Sequence, residues 1–337
     1  MFGFLSTGSD YQNLIHSLDV LNPVLARVAV SAVYARPFIL LSAVTSSSVR
    51  SGLKGIDHVT KYAKSCVHAR QEALTKDPGT YEAPRHDLTQ QLFDIMRDKG
   101  EKVDFGIPEI QYEAYVALFA GSDTTAIAMR SVFHHLSHHP QVYSDLLKEV
   151  DTAFPVSQYP LEMPIRYADA VVLPLLCATI KEAMRLHPSV GFTMPRISPY
   201  PEGLHLNGRH IPAGYRVGIN AHILHRDRTV FGEDAEEFKP QRWLSEKTDP
   251  EQLKRMDHCM LNFGAGTRTC IGKNVSHSPL VKFEASLILP RGRSHLVRCI
   301  NLFHRSCVIL SWFLLILRYP GPLITIGSTN RLASSLH

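Results

Sequence analysis

The chain has 337 residues, 45% apolar and 20% charged, which describes a soluble globular protein of one large or two medium domains with a sizeable core. Its six cysteines, at positions 66, 177, 259, 270, 299 and 307, form no CxxC pair. With no secretory leader or regular framework either, they point to a reduced intracellular compartment rather than a disulfide scaffold. The net charge of +5 is confined to the tail, where residues 275 to 337 hold seven Lys/Arg against one acid and the arginines are scattered among apolar residues, so no nucleic-acid surface is expected.

Up to about residue 100 the chain reads as helix in pieces, with polar breaks at "SSSVRSG" and "KDPGTYEAPRHD". A helix is predicted from Leu88 to Lys99. The next runs for about thirty residues through "GIPEIQYEAYVALFAGSDTTAIAMRSVFHHL", with Pro108 suited to its first turn and Glu109 and Glu113 near the positive end of its dipole. Its middle, Ala114 to Ala120, is apolar all round, which predicts burial inside a large protein, and it is too short to span a bilayer. A further helix is read in "LPLLCATIKEAMRLHP", stopped by Pro188. Then "LHLNGRHI" gives two short alternating runs joined by Asn207-Gly208, residues that tolerate the positive φ of a tight hairpin turn. The expected class is mainly α with a small β portion, and no internal repeat is present.

In "FGAGTRTCIG", Phe263 to Gly272, one cysteine stands among three glycines and an arginine. The glycines allow a tight exposed loop whose peptide N–H groups can point at a sulfur, which favours thiolate over thiol, and Arg268 adds a fixed positive charge. Such a thiolate could be a nucleophile or a metal ligand; a buried structural cysteine in a glycine-rich turn is the alternative on the loop alone.

The loop also fills the pattern FxxGxRxCxG with Phe263, Gly266, Arg268, Cys270 and Gly272, a coincidence on the order of once in several million starting positions. Here the sequence resembles the haem-binding loop of cytochrome P450 monooxygenases. The resemblance implies a partial cytochrome P450 fold and makes Cys270 the axial thiolate of a haem b iron, a ligand that pushes electron density onto the metal. It also implies that Phe263 packs on the proximal haem face, that Arg268 pairs with a propionate, and that Gly272 lets the next helix approach the macrocycle.

Three further signatures follow the family's order. "AGSDTT", Ala120 to Thr125, is similar to the oxygen-binding groove. Gly121 costs a helix about 1 kcal/mol relative to alanine, which the resemblance explains as room for dioxygen. It gives Thr124 a hydrogen bond to the bound oxygens and Asp123 a part in proton delivery, and it places Phe119 and Ala120 on the substrate cavity. "KEAMR" puts Glu182 and Arg185 on one helix face. "FKPQRW" supplies Arg242, which corresponds to the arginine that completes a buried Glu-Arg-Arg network. Between them, "TMPRISP" gives Arg196 as a second propionate partner, with Thr193 and Met194 facing substrate.

Two other features are expected to be structural. His134, His135, His138 and His139 have chelating spacing but no further ligand nearby, and a helix C-terminus favours histidine. "HRD" at His225 to Asp227 has no phosphate loop or DFG to accompany it as a kinase would.

The resemblance covers Met1 to about Asn274, read as a partial haem domain. Residues 275 to 337, with an apolar run from Val308 to Leu317, read as an atypical tail. The family's membrane anchor and first helices are expected to be absent from the chain. Two functions are weighed. One is a monooxygenase that inserts an oxygen atom from O2 into an apolar small molecule, drawing electrons from NADPH through NADPH-cytochrome P450 reductase at the cytosolic face of the endoplasmic reticulum membrane. The other is a truncated, non-catalytic or weakly haem-binding member of the same family. The middle region most resembles fungal enzymes of the pisatin-demethylase type.

Overall fold

The computed structural model describes residues 14–76, 88–155, 165–277 and 281. Helices dominate, and the chain divides into two compact units at the junction of Asp123 and Thr124, which lies inside one long helix.

The first unit holds α1 (Leu14–Val30), the short α2 (Arg36–Leu41), α3 (Ser47–Lys76), α4 (Leu88–Val103) and the opening half of α5 (Ile107–His138). The predicted break at "SSSVRSG" is not there: these residues begin α3. Ser46 explains the start, because its hydroxyl accepts from the Val49 amide and so serves as a helix cap rather than a breaker. Gly52, which ends that stretch, and Gly55 have a packing role. A Cβ at Gly52 would lie 2.5 Å from Val24 Cγ2, and one at Gly55 would lie 2.6 Å from Ser17 O, so α1 and α3 approach closely only because both positions lack side chains. The second expected break, residues 76–87, falls almost wholly outside the described residues.

α4 runs one turn beyond its predicted end. Asp104 then takes a positive φ of 51°, and the Phe105 amide returns to Gly100 O at 3.0 Å, closing the terminus. Phe93 of α4 packs with Val67, Leu74 and Ile110 in this unit's small apolar cluster.

The expectation of a buried middle for α5 fails. Ala117 and Ala120 are exposed, Val116 is 36% exposed, and Ala114 and Phe119 are only half-buried. A stripe through Ile110 and Ala114 packs in this unit's apolar cluster, and the helix also makes polar contacts, between Gln111 and His68 and between Asp123 and Asn22. An all-round apolar run permits burial on every side, but it is the neighbours that decide how many sides are covered.

The helix that is buried is α8 (Pro174–Leu186), in the second unit. From Thr179 to Leu186 every residue except the half-buried Lys181 is buried. It follows α6 (Pro140–Ala153) and the short α7 (Tyr167–Ala170), and with the latter half of α5 they build the main core around Val132, Leu146, Leu176, Ile180 and Ala183. Glu149 of α6 accepts from the Leu175 and Leu176 amides at 2.8 and 2.9 Å, satisfying the exposed donors of the α8 N-terminus with a favourable charge. Pro188 ends α8 at Leu186, since the residue before a proline is pushed out of helical geometry.

The β portion is two antiparallel pairs. β1 (Arg196–Ile197) pairs with β4 (Arg216–Val217), and β2 (Leu204–Leu206) pairs with β3 (Arg209–Ile211). Asn207 and Gly208 take φ of 47° and 74° at the β2–β3 turn, which both residues tolerate. The single turns α9 (Ala221–Leu224) and α10 (Arg228–Phe231), a 3₁₀ turn at Pro240–Trp243 and α11 (Pro250–Cys259) lead to the cysteine loop.

Candidate functional site

The interior of the second unit holds a charged cluster built around Glu182. Arg185 donates to both carboxylate oxygens at 2.9 Å, and both side chains are fully buried. Arg242 donates from Nε to Oε1 at 2.8 Å, the Trp243 indole N–H donates to Oε2 at 2.8 Å, and the Lys239 amide adds a third hydrogen bond to Oε1. The remaining guanidinium donors are used as well. Arg185 reaches the carbonyls of His225, Ala235 and Glu237, while Arg242 reaches those of Phe231 and Asp234 and the Asp234 carboxylate.

Burial opposes the charge on Arg242, but Glu182 and Asp234 outweigh it and hold its pKa above the ordinary value. Lys239 and Arg242 in turn keep the Asp234 carboxyl below the usual range against a smaller opposing effect of burial. Glu182, Arg185 and Arg242 thus form one satisfied network, stitching α8 to the segment from His225 to Trp243. Trp243 was not singled out from the sequence, although a buried indole needs an acceptor and this one directly follows Arg242.

Cys270 lies on the other side of α11, in the loop that runs from Leu261 to Gly272. Gly264 and Gly266 adopt φ of 69° and 65°, a region that other residues rarely enter. The Gly264 amide donates to Leu261 O at 2.9 Å, and the Cys270 amide donates to Phe263 O at 2.8 Å, so the loop folds back on itself. The Cys270 amide is therefore committed to the backbone, and the thiol itself is exposed. A Cβ at Gly272 would stand 3.8 Å from Cys270 Sγ. Phe263 is half-buried against the main core, with Lys273 Nζ 5.9 Å from its ring centre. Arg268 is exposed in the 3₁₀ turn Gly266–Arg268, within the same loop.

Past Cys270 the chain turns helical at 273–277 and again at 281. Ser276 accepts from Thr125 Oγ1 of α5 at 3.3 Å, His277 bonds Tyr167 at 3.1 Å, and Val281 is buried in the core. The apolar run from Val308 to Leu317 lies outside the described residues.

Thr193 is half-buried, Met194 is 44% exposed, and exposed Arg196 in β1 uses Nη1 to reach the carbonyls of Met194 and Pro195. Gly218 matters here, because a Cβ on it would lie 2.7 Å from Thr193 Cγ2. In α5, Thr124 O accepts from Ser189 Oγ at 2.7 Å in addition to its place in the helix. Within the first unit, Asp123 accepts from Asn22 at 2.7 Å, Ser122 bonds back to Leu118 O, and half-buried Phe119 stacks on Tyr115 beside exposed Ala120. A Cβ at Gly121 would meet nothing within 4 Å, so no packing contact demands the glycine.

Of the histidines at the end of α5, His138 and His139 use Nδ1 to bond the carbonyls of His134 and His135 at 2.7 Å, and His135 stacks on Phe238. Burial, reinforced by the neighbouring histidines, depresses the His135 pKa to about 3, so its ring is neutral near pH 7. Among the described residues no group of three or more His, Cys, Asp or Glu could hold a metal ion.

Comparison with known proteins follows this geometry. The family model described as "Cytochrome P450" matches residues 9–289. The chain is 44% identical over 287 residues to the cytochrome P450 monooxygenase gsfF of Penicillium aethiopicum, covering 85% of this chain and 55% of that protein. It is 33% identical to the cytochrome P450 monooxygenase ACRTS1 of Alternaria alternata, covering 85% and 73% respectively. Pisatin demethylase of Fusarium vanettenii is 39% identical over 174 residues, or 50% of this chain and 31% of its own length. The crystal structure of a cytochrome P450, CYP102L1, superposes with a TM-score of 0.58 at 24% identity, covering 82% of this chain and 57% of that one, a likeness of fold.

Proposed function

Because this chain belongs to the cytochrome P450 family, we propose that it is the haem-bearing part of a monooxygenase, with Cys270 as the protein ligand to the iron. The observation that carries the proposal is the exposed thiol of Cys270 at the end of a backbone-closed, glycine-shaped loop. Its donor set fits the group. One soft ligand with no histidine or carboxylate cluster beside it, among the described residues, suits a metal that brings its remaining ligands with it, as an iron porphyrin does. Exposed Arg196 and Arg268 are cations available to propionates.

When bound, the haem supplies the activation of O2, for an overall reaction in which RH, O2, two electrons and two protons give ROH and H2O. The chain's own residues have four tasks in this reading. The Cys270 sulfur ligates as thiolate and donates charge to the metal. Thr124, one turn past Gly121, holds and passes a proton through its hydroxyl, and Asp123 supplies protons from the same helix. Phe119, Ala120, Thr193 and Met194 offer apolar surface to substrate. Phe263 and Gly272 shape the proximal side. The Glu182 cluster fixes the segment behind them and takes no part in chemistry.

The electrons are assigned to NADPH through NADPH-cytochrome P450 reductase, the substrate is an apolar small molecule, and the family's setting is the cytosolic face of the endoplasmic reticulum membrane. No helix among the described residues is long and apolar enough to cross a membrane. Since the chain spans 55% of its relative gsfF, these assignments concern the whole protein to which such a chain corresponds.

A second reading, a weakly haem-binding and non-catalytic member of the family, is favoured by the bare apolar surface of the first unit, where Tyr34 is 81% and Phe38 71% exposed. Turnover in 18O2 with reductase and NADPH separates the two. The monooxygenase places one 18O atom in the product and one in water. An oxygen drawn from solvent, or no product from a chain that holds less than stoichiometric haem, overturns it.

A further inference from the structure

His225, the first residue of "HRD", occupies an unusual position. His225 is fully buried, and its two ring nitrogens are committed in opposite directions. The Leu261 amide donates to Nε2 at 2.9 Å. An amide can only donate, so Nε2 carries no proton, and Nδ1 must be the N–H that donates to Arg185 O at 3.1 Å. Arg185 closes the link from the other side, since its Nη1 donates to the His225 carbonyl at 2.6 Å. Leu261 opens the cysteine loop, and its own carbonyl accepts from Gly264. A continuous path of hydrogen bonds therefore runs from Glu182 through Arg185 and His225 to the first turn of the loop that carries Cys270.

We propose that His225 is a positioning residue for the thiolate loop: its neutral imidazole, held by Arg185 at Nδ1, fixes the Leu261 amide at Nε2 and so couples the buried Glu182 cluster to the segment that delivers Cys270. The functional half of this statement rests on the haem-thiolate reading, and the tether itself does not. An imidazolium is incompatible with the site, because a second N–H would point at the Leu261 N–H. The charged and titratable groups facing the ring act in the same sense. Arg185 on α8, Arg226 in the turn after α9 and His222 on α9 all oppose a further positive charge, while Phe231 on α10 covers one side without charge. Glu236, the nearby acid, is paired with Arg226. Burial is the largest effect and outweighs the hydrogen bond to the Arg185 carbonyl, which favours the charged ring, so the pKa falls to about 4.

The test is hydrogen exchange of the Leu261 amide in the full 337-residue chain without haem, in the wild type, His225→Gln and His225→Leu. Glutamine keeps one acceptor and one donor, and leucine keeps neither. The proposal expects a protected Leu261 amide in the wild type, near-wild-type protection with glutamine, and exchange about 10- to 100-fold faster with leucine while the α8 amides stay protected. Equal rates in all three proteins would overturn it, as would loss of α8 protection in step with Leu261, which makes His225 a general fold residue. Should the leucine variant not fold, the wild-type ring decides: 15N shifts must report the Nδ1–H tautomer down to pH 5, and an Nε2–H tautomer or ordinary titration is contrary.

With haem added, the reduced carbon-monoxide complex should lose its thiolate band at higher pH in His225→Leu than in the wild type, and glutamine should restore the wild-type midpoint. A midpoint unmoved by leucine overturns the coupling to Cys270. If Cys270 is not the ligand, no variant shows a thiolate band and the exchange result is untouched, so the two failures are distinguishable.

Discussion

Cys270 and Glu182 show what a single residue owes to its surroundings. The thiol stays available because the backbone around it is closed by its own hydrogen bonds, whereas Glu182 is tolerated in a dry interior because two guanidiniums, an indole and an amide satisfy it. The cysteine loop was legible in sequence, since its glycines and arginine stand at fixed offsets in one short run. The roles of His225 and Trp243 were not, although both stand in the short runs "HRD" and "FKPQRW", because their partners are 36 and 61 positions away. At this scale Thr124 carries a prediction. Its carbonyl is held by Ser189 independently of its hydroxyl, so Thr124→Ala should leave the helix and haem uptake intact. Product formation should fall about tenfold or more as electrons go to peroxide, because a positioned proton donor is lost. A peroxide assay run beside NADPH consumption checks this, and unchanged coupling excludes Thr124 from proton delivery.

Among the elements, α8 is the most buried and holds Glu182 and Arg185, and two glycines of α3 admit the close approach of α1 in the first unit. The β2–β3 hairpin was legible from Asn207-Gly208 between two short alternating runs, since local backbone preference determines a two-residue turn. The burial of α5 was misjudged because hydrophobicity states what a helix can bury and says nothing about which neighbours reach it. The same limitation hid the roles of Gly52 and Gly55, which admit Val24 and Ser17 O. Within the Glu182 cluster, Arg242→Leu leaves Glu182 with one guanidinium, strips the Phe231 carbonyl of its guanidinium donor and leaves the Asp234 carbonyl with the Glu237 amide alone. Breaking a buried pair by removing one partner costs about 3–5 kcal/mol, so the denaturant midpoint should drop sharply with little change in slope. Arg228→Leu, which removes an exposed pair with Glu233, should shift the midpoint far less. Equal shifts for the two variants would show that the cluster has no special weight.

For the whole molecule, fully buried His225 and half-buried His135 set an acid limit. Burial holds His225 to about 4 and His135 to about 3, against about 6.5 for an unfolded chain. Above pH 6.5 these rings are neutral in both states and stability is at its full value. As pH falls below 6.5 the unfolded chain takes up protons that the folded one refuses, so stability declines continuously until the folded values near 4 and 3 are passed. Urea midpoints should therefore be lower at pH 5 than at pH 7, and His225→Gln should remove part of that difference. A midpoint independent of pH across this window contradicts the lowered pKa values of both rings.

The family, the helical class and the order of signatures were read from local patterns. The division of the chain into two units inside α5 was not, since nothing in a continuous helical sequence marks where its neighbours change. The central claim, that Cys270 ligates haem iron as a thiolate, is tested most directly by the absorption spectrum of the reduced carbon-monoxide complex of the haem-loaded chain and of Cys270→Ser. The account predicts a red-shifted Soret band in the first and its complete loss in the second. A red-shifted band that survives the serine substitution contradicts it.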